Sequence, residues 1–256
     1  QRGQSPNYFE TEAKRRGETG KLPWHMHHDG LATLQAARPV RELTEPVGHA
    51  VRMMYLLAAM LDLARDRDDA VLAEQSRALW TAITTRHLYI TGGVGTEPYG
   101  EKFCEPFDLP PDRAYAETCA AIGVVMCARR MLDLELRGEY ADVMERALYN
   151  NVLAGLALDG RTYFYVNPLE VVPPVAKLRY ECHLVKTQRV PWFGCACCPP
   201  NVARLFASLG EYACSKTPDG LALHLYAGGV VQFEAGAEPV RLHMTTEFPW
   251  KERIEL

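Results

Sequence analysis

The chain has 256 residues, of which 48% are hydrophobic and 23% are charged, and these globular proportions exclude a disordered protein. Its 28 basic and 32 acidic residues give a net charge of −4, which argues against nucleic acid or an anionic membrane as the main partner. The sequence has no run of 18 apolar residues, so no membrane-spanning helix is predicted.

The two ends of the chain indicate a piece of a longer protein. It begins at Gln1, and it stops at Leu256 inside a strand-like alternation. We therefore expect a fragment or a processed product, in which a leader peptide cannot be judged. The compartment stays open, with a cytoplasmic location favoured, and a homodimer is one alternative for the assembly.

Apolar residues that recur every three or four positions predict a series of helices. In the first, Thr44 is the cap, Glu45 lies in the first turn, Pro46 suits the helix start, and the pattern continues to Ala64. Further helices are predicted over residues 68–83, 114–136, 140–156 and 199–214.

β-structure is predicted mainly at the C-terminal end. Short β segments are expected at 87–91 and 161–172, and two longer strands at 221–233 and 240–247. Consecutive helices that each need a neighbour to bury their apolar faces indicate an α/α toroid or solenoid, and the strands indicate a β-sandwich that begins near residue 220. The sequence therefore predicts a mainly α fold followed by the start of a β-sandwich.

The strongest chemical feature is Cys197-Cys198 followed directly by Pro199-Pro200-Asn201. The prolines begin the next helix, so both thiols lie at a helix N-terminus, where the helix dipole stabilises a thiolate. Three of the eight cysteines fall within four residues, which favours a metal site or a reactive thiol over disulfide staples. The pair fits a metal or catalytic site, a redox pair, or two structural thiols.

Glu117 and Cys119 form a second candidate pair of ligands. Side chains two residues apart point about 200° away from each other on a regular helix, so these two converge only at a helix start or in a distorted turn. Together with Cys197 and Cys198 they supply one oxygen and three sulfur atoms, which is a tetrahedral zinc set. The alternative is a small core cysteine beside a solvated glutamate.

Glu101 lies between a glycine-rich and a proline-rich stretch, where a carboxylate held in a loop can act as a general acid/base. The rival carboxylates are nearby in sequence, at Glu97, Glu105 and Asp108, and each is more typical of an exposed loop charge.

Histidines offer two weaker candidates. His49 lies near the start of the first predicted helix, where a lone histidine is usually a satisfied core or surface residue. The run His25-Met26-His27-His28 is compatible with metal binding but is more typical of a surface patch.

Seven segments of the chain together resemble one known family. They are GHAVR at 48–52, HLYITGGVG at 87–95, GEKF at 100–103, AYAETCA at 114–120, YADVMERALYN at 140–150, YFYVNPLE at 163–170 and ACCPPN at 196–201. The set resembles glycoside hydrolase family 127, the β-L-arabinofuranosidase family, over about residues 38–250. The resemblance implies an (α/α)6 barrel followed by β-sandwich domains, with an incomplete barrel domain over 1–219 and the first sandwich strands over 220–256.

The resemblance also implies a mechanism. It implies that a zinc ion is held by Glu117, Cys119, Cys197 and Cys198. Cys197 is then the nucleophile and Glu101 the general acid/base of a retaining glycosidase, with a thiolate in place of the usual carboxylate nucleophile.

Positions that touch the sugar are implied as well. His49, Glu145 and Tyr165 match such positions, and the expected substrate is an arabinofuranoside-containing oligosaccharide or glycoconjugate. Two alternatives from other classes are a non-catalytic zinc-site or carbohydrate-binding remnant, and a thiol redox protein that uses Cys197 and Cys198. The segment 104–106 departs from the more aromatic and acidic family pattern, so it bears on sugar and leaving-group preference.

Overall fold

The computed structural model describes residues 2–4, 6–18, 30–218, 220–236 and 238–256. The helices are α1 Tyr8–Arg15, α2 Ala50–Asp66, α3 Ala70–Arg86, α4 Thr118–Leu134, α5 Gly138–Ala147, α6 Pro173–Ala176, α7 Cys198–Ala207 and α8 Gly210–Ala213. The strands are β1 Cys214–Thr217, β2 Gly220–Leu223, β3 Gly229–Ala235, β4 Glu238–Thr246 and β5 Ile254–Glu255.

Helix α4 is the centre of the hydrophobic core. It consists almost entirely of small and apolar residues, and it contacts α2, α5 and α7. A helix that is apolar on nearly all sides is stable only when neighbours cover it, which explains this central position. The closest approach to α2 is at Gly123, where an added Cβ would lie 2.6 Å from Cβ of Met54.

Helix α2 begins five residues later than its capping pattern predicts, because its N-cap is His49 and not Thr44. Gly48 adopts φ +67°, and an added Cβ there would lie 2.1 Å from the carbonyl oxygen of Ala32, so this position requires glycine and cannot be helical. The N–H of Ala50 donates to the carbonyl of Glu101 at 2.8 Å. The late start thus places His49 beside the loop that carries Glu101.

Helix α4 also begins late, at Thr118 and not at 114. Ala116 has φ +38°, and its N–H donates to the carbonyl of Gly95 at 2.8 Å, so the chain bends before the helix starts. The helix predicted over 140–156 is α5 continued by a π-helical segment, Leu148–Leu153. The last predicted helix is divided into α7 and α8, and Cys214 already belongs to β1.

Two of the predicted β segments are not regular strands. The segment 87–91 contributes only an isolated bridge between Leu88 and Val94, and the segment 161–172 contributes only isolated bridges at Tyr163 and Val166. In the second segment, Tyr163 and Tyr165 pack against Phe193, and tertiary contacts therefore override their strand propensity.

The C-terminal strands form small antiparallel sheets. Strands β1 and β2 pair as a hairpin, and β3, β4 and β5 form a three-stranded sheet. The strand predicted over 221–233 is interrupted because the N–H groups of His224 and Leu225 donate to the carbonyl of Ala213. The prediction of a mainly helical chain followed by antiparallel β-structure is confirmed. Within the part of the chain described, no helix is both long and apolar enough to cross a bilayer.

Candidate active site

Three helices begin at one cavity, and each presents a predicted site residue there. His49 precedes α2, Glu117 precedes α4, and Cys197 precedes α7. Helix N-termini carry partial positive charge and unpaired N–H groups, so this arrangement stabilises carboxylates and thiolates.

The thiols form a tight cluster with Glu117. The Sγ of Cys198 lies 3.7 Å from the Sγ atoms of Cys119 and of Cys197, and the Cys197 Sγ lies 3.5 Å from Glu117 Oε1. One ligand atom from each of the four residues lies within 4.8 Å of the others. Glu117 and Cys119 converge because Glu117 precedes the helix and Cys119 is in its first turn, which is the helix-start geometry that the sequence required.

The distances in this cluster match those between ligands of a tetrahedral zinc ion. Zn–S bonds of about 2.3 Å place two sulfurs about 3.8 Å apart, and a zinc-bound oxygen and sulfur lie about 3.6 Å apart. The observed separations are 3.7 and 3.5 Å. One carboxylate and three thiolates are also a ligand set that zinc prefers.

Glu117 lacks a cationic partner within hydrogen-bonding distance in the described structure. Its side chain is 3% exposed, and Oε2 is buried with no hydrogen-bond partner among the described residues. Burial, together with the nearby Glu101 and Cys197, raises the pKa of Glu117 well above its usual range. Buried carboxylates are normally paired or bound to a metal, so the four residues fit a zinc ion.

Glu101 is held by two short hydrogen bonds. Its Oε2 lies 2.7 Å from His49 Nε2, and its Oε1 accepts a bond of 2.7 Å from the Tyr115 hydroxyl. Burial acts to raise the pKa of Glu101, but the hydrogen bonds from His49 and Tyr115 outweigh it, and the net shift is downward. In the free protein these partners therefore favour the carboxylate form.

Tyr165 connects the two predicted catalytic residues. Its hydroxyl lies 3.1 Å from Cys197 Sγ and 3.4 Å from Glu101 Oε1. Burial and the neighbouring carboxylates raise the pKa of this phenol, so it stays protonated. The hydroxyl can therefore accept from the thiol while it donates to the carboxylate.

The cavity that these residues line has a volume of about 570 Å³. This volume is within the range of small-molecule sites. Besides the predicted residues His49, Glu101, Glu117, Cys119, Tyr165 and Cys197, the lining includes Val51, Arg52, Tyr55, Cys195, Pro200, Asn201 and Arg204.

Asn201 and Arg204 form a supporting pair that sequence reasoning missed. Arg204 Nη2 donates to Asn201 Oδ1 at 2.5 Å and to the Tyr55 hydroxyl at 2.9 Å. The pKa of the Cys119 thiol is lowered, mainly by hydrogen bonds with Cys197 and Cys198. Because the Asn201 oxygen is occupied by Arg204, Asn201 offers its NH₂ group to Cys119, and this hydrogen bond lowers the pKa further. The position of Asn201 directly after the prolines was the available signal.

Tyr115 was also missed, although it lies two residues before Glu117 in the motif that marks the site. Glu145, in contrast, is half-buried on α5 and is not a lining residue of the cavity, so its role at the sugar stays a prediction. The rivals Glu97, Glu105 and Asp108 line a neighbouring cavity. His25, His27 and His28 lie outside the described residues.

A comparison with models of protein families relates this chain to known proteins. The model of the β-L-arabinofuranosidase GH127 catalytic domain matches residues 8–211. The chain belongs to glycoside hydrolase family 127. This agrees with the resemblance carried by the motifs.

Relatives of this family 127 chain are known in sequence and in structure. A non-reducing end β-L-arabinofuranosidase of Bifidobacterium longum subsp. longum is 38% identical over 99% of the chain. The crystal structure of a GH127 β-L-arabinofuranosidase from Geobacillus stearothermophilus T6 matches with a TM-score of 0.90 and 48% identity over 97% of the chain. A GH127 β-arabinofuranosidase structure matches with a TM-score of 0.79 and 36% identity over 96% of the chain.

The family 127 chain is much shorter than these proteins. It spans 38% of the Bifidobacterium relative, and 39% and 35% of the two structures. Their similarity to this chain therefore concerns about two fifths of their length.

Proposed function

We propose that this chain carries the catalytic centre of a retaining β-L-arabinofuranosidase with a zinc-bound cysteine nucleophile. The observation that carries the proposal is the convergence of Cys197, Glu101 and Tyr165 beside the Glu117 and cysteine cluster in one cavity. The helices are proposed to be part of an (α/α)6 barrel domain over 1–219, followed by the start of a β-sandwich over 220–256.

In the first step, the Cys197 sulfur attacks the anomeric carbon of the arabinofuranoside. The bond from that carbon to the leaving oxygen breaks, and Glu101 in its protonated form gives that oxygen a proton. The product is a sugar bonded to the Cys197 sulfur. In the protein without substrate, the bonds from His49 and Tyr115 favour the ionised form of Glu101, whereas this step needs the protonated form. The incoming sugar therefore has to displace or weaken these two bonds.

In the second step, Glu101 acts as a base. The carboxylate takes a proton from a water molecule, the water oxygen bonds to the anomeric carbon, and the carbon–sulfur bond breaks. The thiolate of Cys197 is restored. Two displacements at the same carbon retain its configuration.

Zinc would be held by Glu117, Cys119, Cys197 and Cys198. When bound, it keeps Cys197 in the thiolate form at neutral pH, because a coordinating thiol loses its proton. Tyr165 positions the sulfur through its 3.1 Å contact. His49 and Tyr165, and by the resemblance Glu145, are proposed to bind the hydroxyl groups of the sugar.

The test is hydrolysis of 4-nitrophenyl β-L-arabinofuranoside by the zinc-loaded chain. We expect turnover that falls by about 10⁴-fold or more in Cys197→Ala, as for removal of other catalytic nucleophiles. Cys214→Ala, a half-buried cysteine of β1, should keep the activity.

Three results would contradict the proposal. Full activity of Cys197→Ala would show that Cys197 is not the nucleophile. A folded, zinc-loaded chain that binds arabinofuranosides without cleaving them would support the carbohydrate-binding alternative instead, and a chain that cycles between thiol and disulfide without binding zinc would support the redox alternative.

A further inference from the structure

A second group of metal-ligating side chains lies next to the thiol cluster. It consists of His49, Glu101 and Glu117, and one ligand atom from each lies within 4.8 Å of the others. All three line the same cavity. One imidazole nitrogen and two carboxylates form a ligand set that zinc and similar transition-metal ions accept, with coordination positions left open.

Glu117 belongs to both groups. Its Oε1 lies 3.5 Å from Cys197 Sγ, whereas its Oε2 is buried without a hydrogen-bond partner among the described residues. The residue is 97% buried, since its exposed fraction is 3%. A carboxylate can bridge two metal ions about 3.5–4 Å apart through its two oxygens, and Oε2 has no competing partner among the described residues.

His49 and Glu101 can turn toward an ion at this position. Their only close contact to each other is the 2.7 Å bond between Nε2 and Oε2, which a cation would replace with two ligand bonds. The other ring nitrogen, Nδ1, is buried and has no partner in the described structure, so no second hydrogen bond has to be broken when the ring moves.

We propose that His49, Glu101 and Glu117 form an inhibitory site for a second divalent transition-metal ion, filled when metal is in excess over the thiol site. Its consequence for catalysis rests on the proposed function. A cation bound to Glu101 keeps that residue as a carboxylate, so no proton reaches the leaving oxygen. The ion also occupies the space that the sugar needs beside His49.

The site is tested by titrating the metal-free chain with Co²⁺. Thiolate ligands give cobalt intense near-ultraviolet charge-transfer absorption, whereas nitrogen and oxygen ligands give only weak visible bands. We expect the first equivalent to produce the thiolate absorption. The second equivalent should add weak visible bands with no further rise in the near ultraviolet.

The variant His49→Gln separates the two ions. It should weaken binding of the second equivalent by about tenfold or more, while the first-equivalent absorption stays the same and shows that the thiol site is folded. His183→Gln is the matched control, because His183 is exposed and belongs to neither group. The site assignment is wrong if no second equivalent binds, if it adds thiolate absorption, or if His49→Gln binds it unchanged.

Activity distinguishes this inference from the proposed function. With one equivalent of zinc the chain should hydrolyse the aryl arabinofuranoside, and excess zinc should lower kcat/KM by about tenfold or more. Activity that excess zinc leaves unchanged would overturn the inhibitory role and leave the proposed function intact. Inactivity at one equivalent would overturn the proposed function, while the cobalt titration would still decide whether the second site exists.

Discussion

The hydroxyl of Tyr165 lies 3.1 Å from the sulfur of Cys197 and 3.4 Å from Oε1 of Glu101. Tyr165 is separated from these residues by 32 and 64 positions in the sequence, so the fold alone creates this link. A single protonated phenol thus touches both groups that the proposed mechanism requires.

Replacing Tyr165 with Phe removes both contacts without opening a large cavity. We expect kcat to fall by about 10- to 100-fold, because a positioned hydroxyl donor is lost, while the zinc content stays the same. Kinetics and elemental analysis measure the two quantities. Tyr163→Phe is the control, since the buried Tyr163 hydroxyl has no partner in the described structure. Equal losses in both variants would mean that Tyr165 only supports packing.

The pH dependence of kcat/KM should be sensitive to the hydrogen bond that Tyr115 donates to Glu101. The acid form of Glu101 is needed, so kcat/KM falls as pH rises through the pKa of this carboxyl in the free enzyme. The Tyr115 hydroxyl donates to Glu101 at 2.7 Å and helps to lower that pKa against the effect of burial.

Tyr115→Phe should therefore raise the pKa of Glu101 and move the falling limb to higher pH, because one of the hydrogen bonds that favour the carboxylate is lost. Tyr89→Phe, whose hydroxyl bonds to Thr96, should leave the limb in place. A limb that moves to lower pH in Tyr115→Phe would show that another group controls the profile.

Asn201 should tune the affinity of the thiol site. Arg204 fixes its oxygen at 2.5 Å, which directs its NH₂ group to Cys119. Loss of a residue that hydrogen-bonds a metal ligand typically lowers metal affinity by about 10- to 100-fold. We expect this loss for Asn201→Ala in competition with a zinc chelator, and no loss for the exposed Asn150→Ala. Unchanged zinc affinity in Asn201→Ala would show that Asn201 does not support the thiol site.

Packing between α2 and α4 should limit the size of residue 123. An added Cβ at Gly123 would lie 2.6 Å from Cβ of the fully buried Met54, so Gly123→Ala should lower the free energy of unfolding by about 1–3 kcal/mol. Gly138 has open space around it at the start of α5, and Gly138→Ala should be neutral or stabilising by up to about 1 kcal/mol. Denaturant unfolding compares the two, and a neutral Gly123→Ala would show that the helices can separate there.

The helical character, the family and the candidate zinc ligands can all be predicted from the residues alone. Apolar periodicity is a local property of the sequence, so it predicts the helices α2, α3, α4 and α5. The prolines after Cys198 fixed the start of α7, because a proline is tolerated in the first turn of a helix. The family motifs selected Glu101 among several nearby carboxylates.

The way in which these helices and site residues meet depends on contacts between distant parts of the chain. The left-handed backbone at Gly48 and Ala116 delays two helices, which brings His49 to Glu101 and turns Glu117 toward Cys119. Such bends depend on contacts with distant segments, including the carbonyls of Ala32 and Gly95.

The roles of Tyr115, Asn201 and Arg204 also depend on tertiary contacts, although Tyr115 and Asn201 lie within the family motifs. Tyrosine, asparagine and arginine occur in many structural settings, and the role of each is set by the group that lies within about 3 Å of it. Spacing along the chain carries no information on that distance when the two residues belong to different helices and loops. Only the packing around one cavity determines that the Tyr115 hydroxyl reaches Glu101 and that the Arg204 guanidinium reaches Asn201.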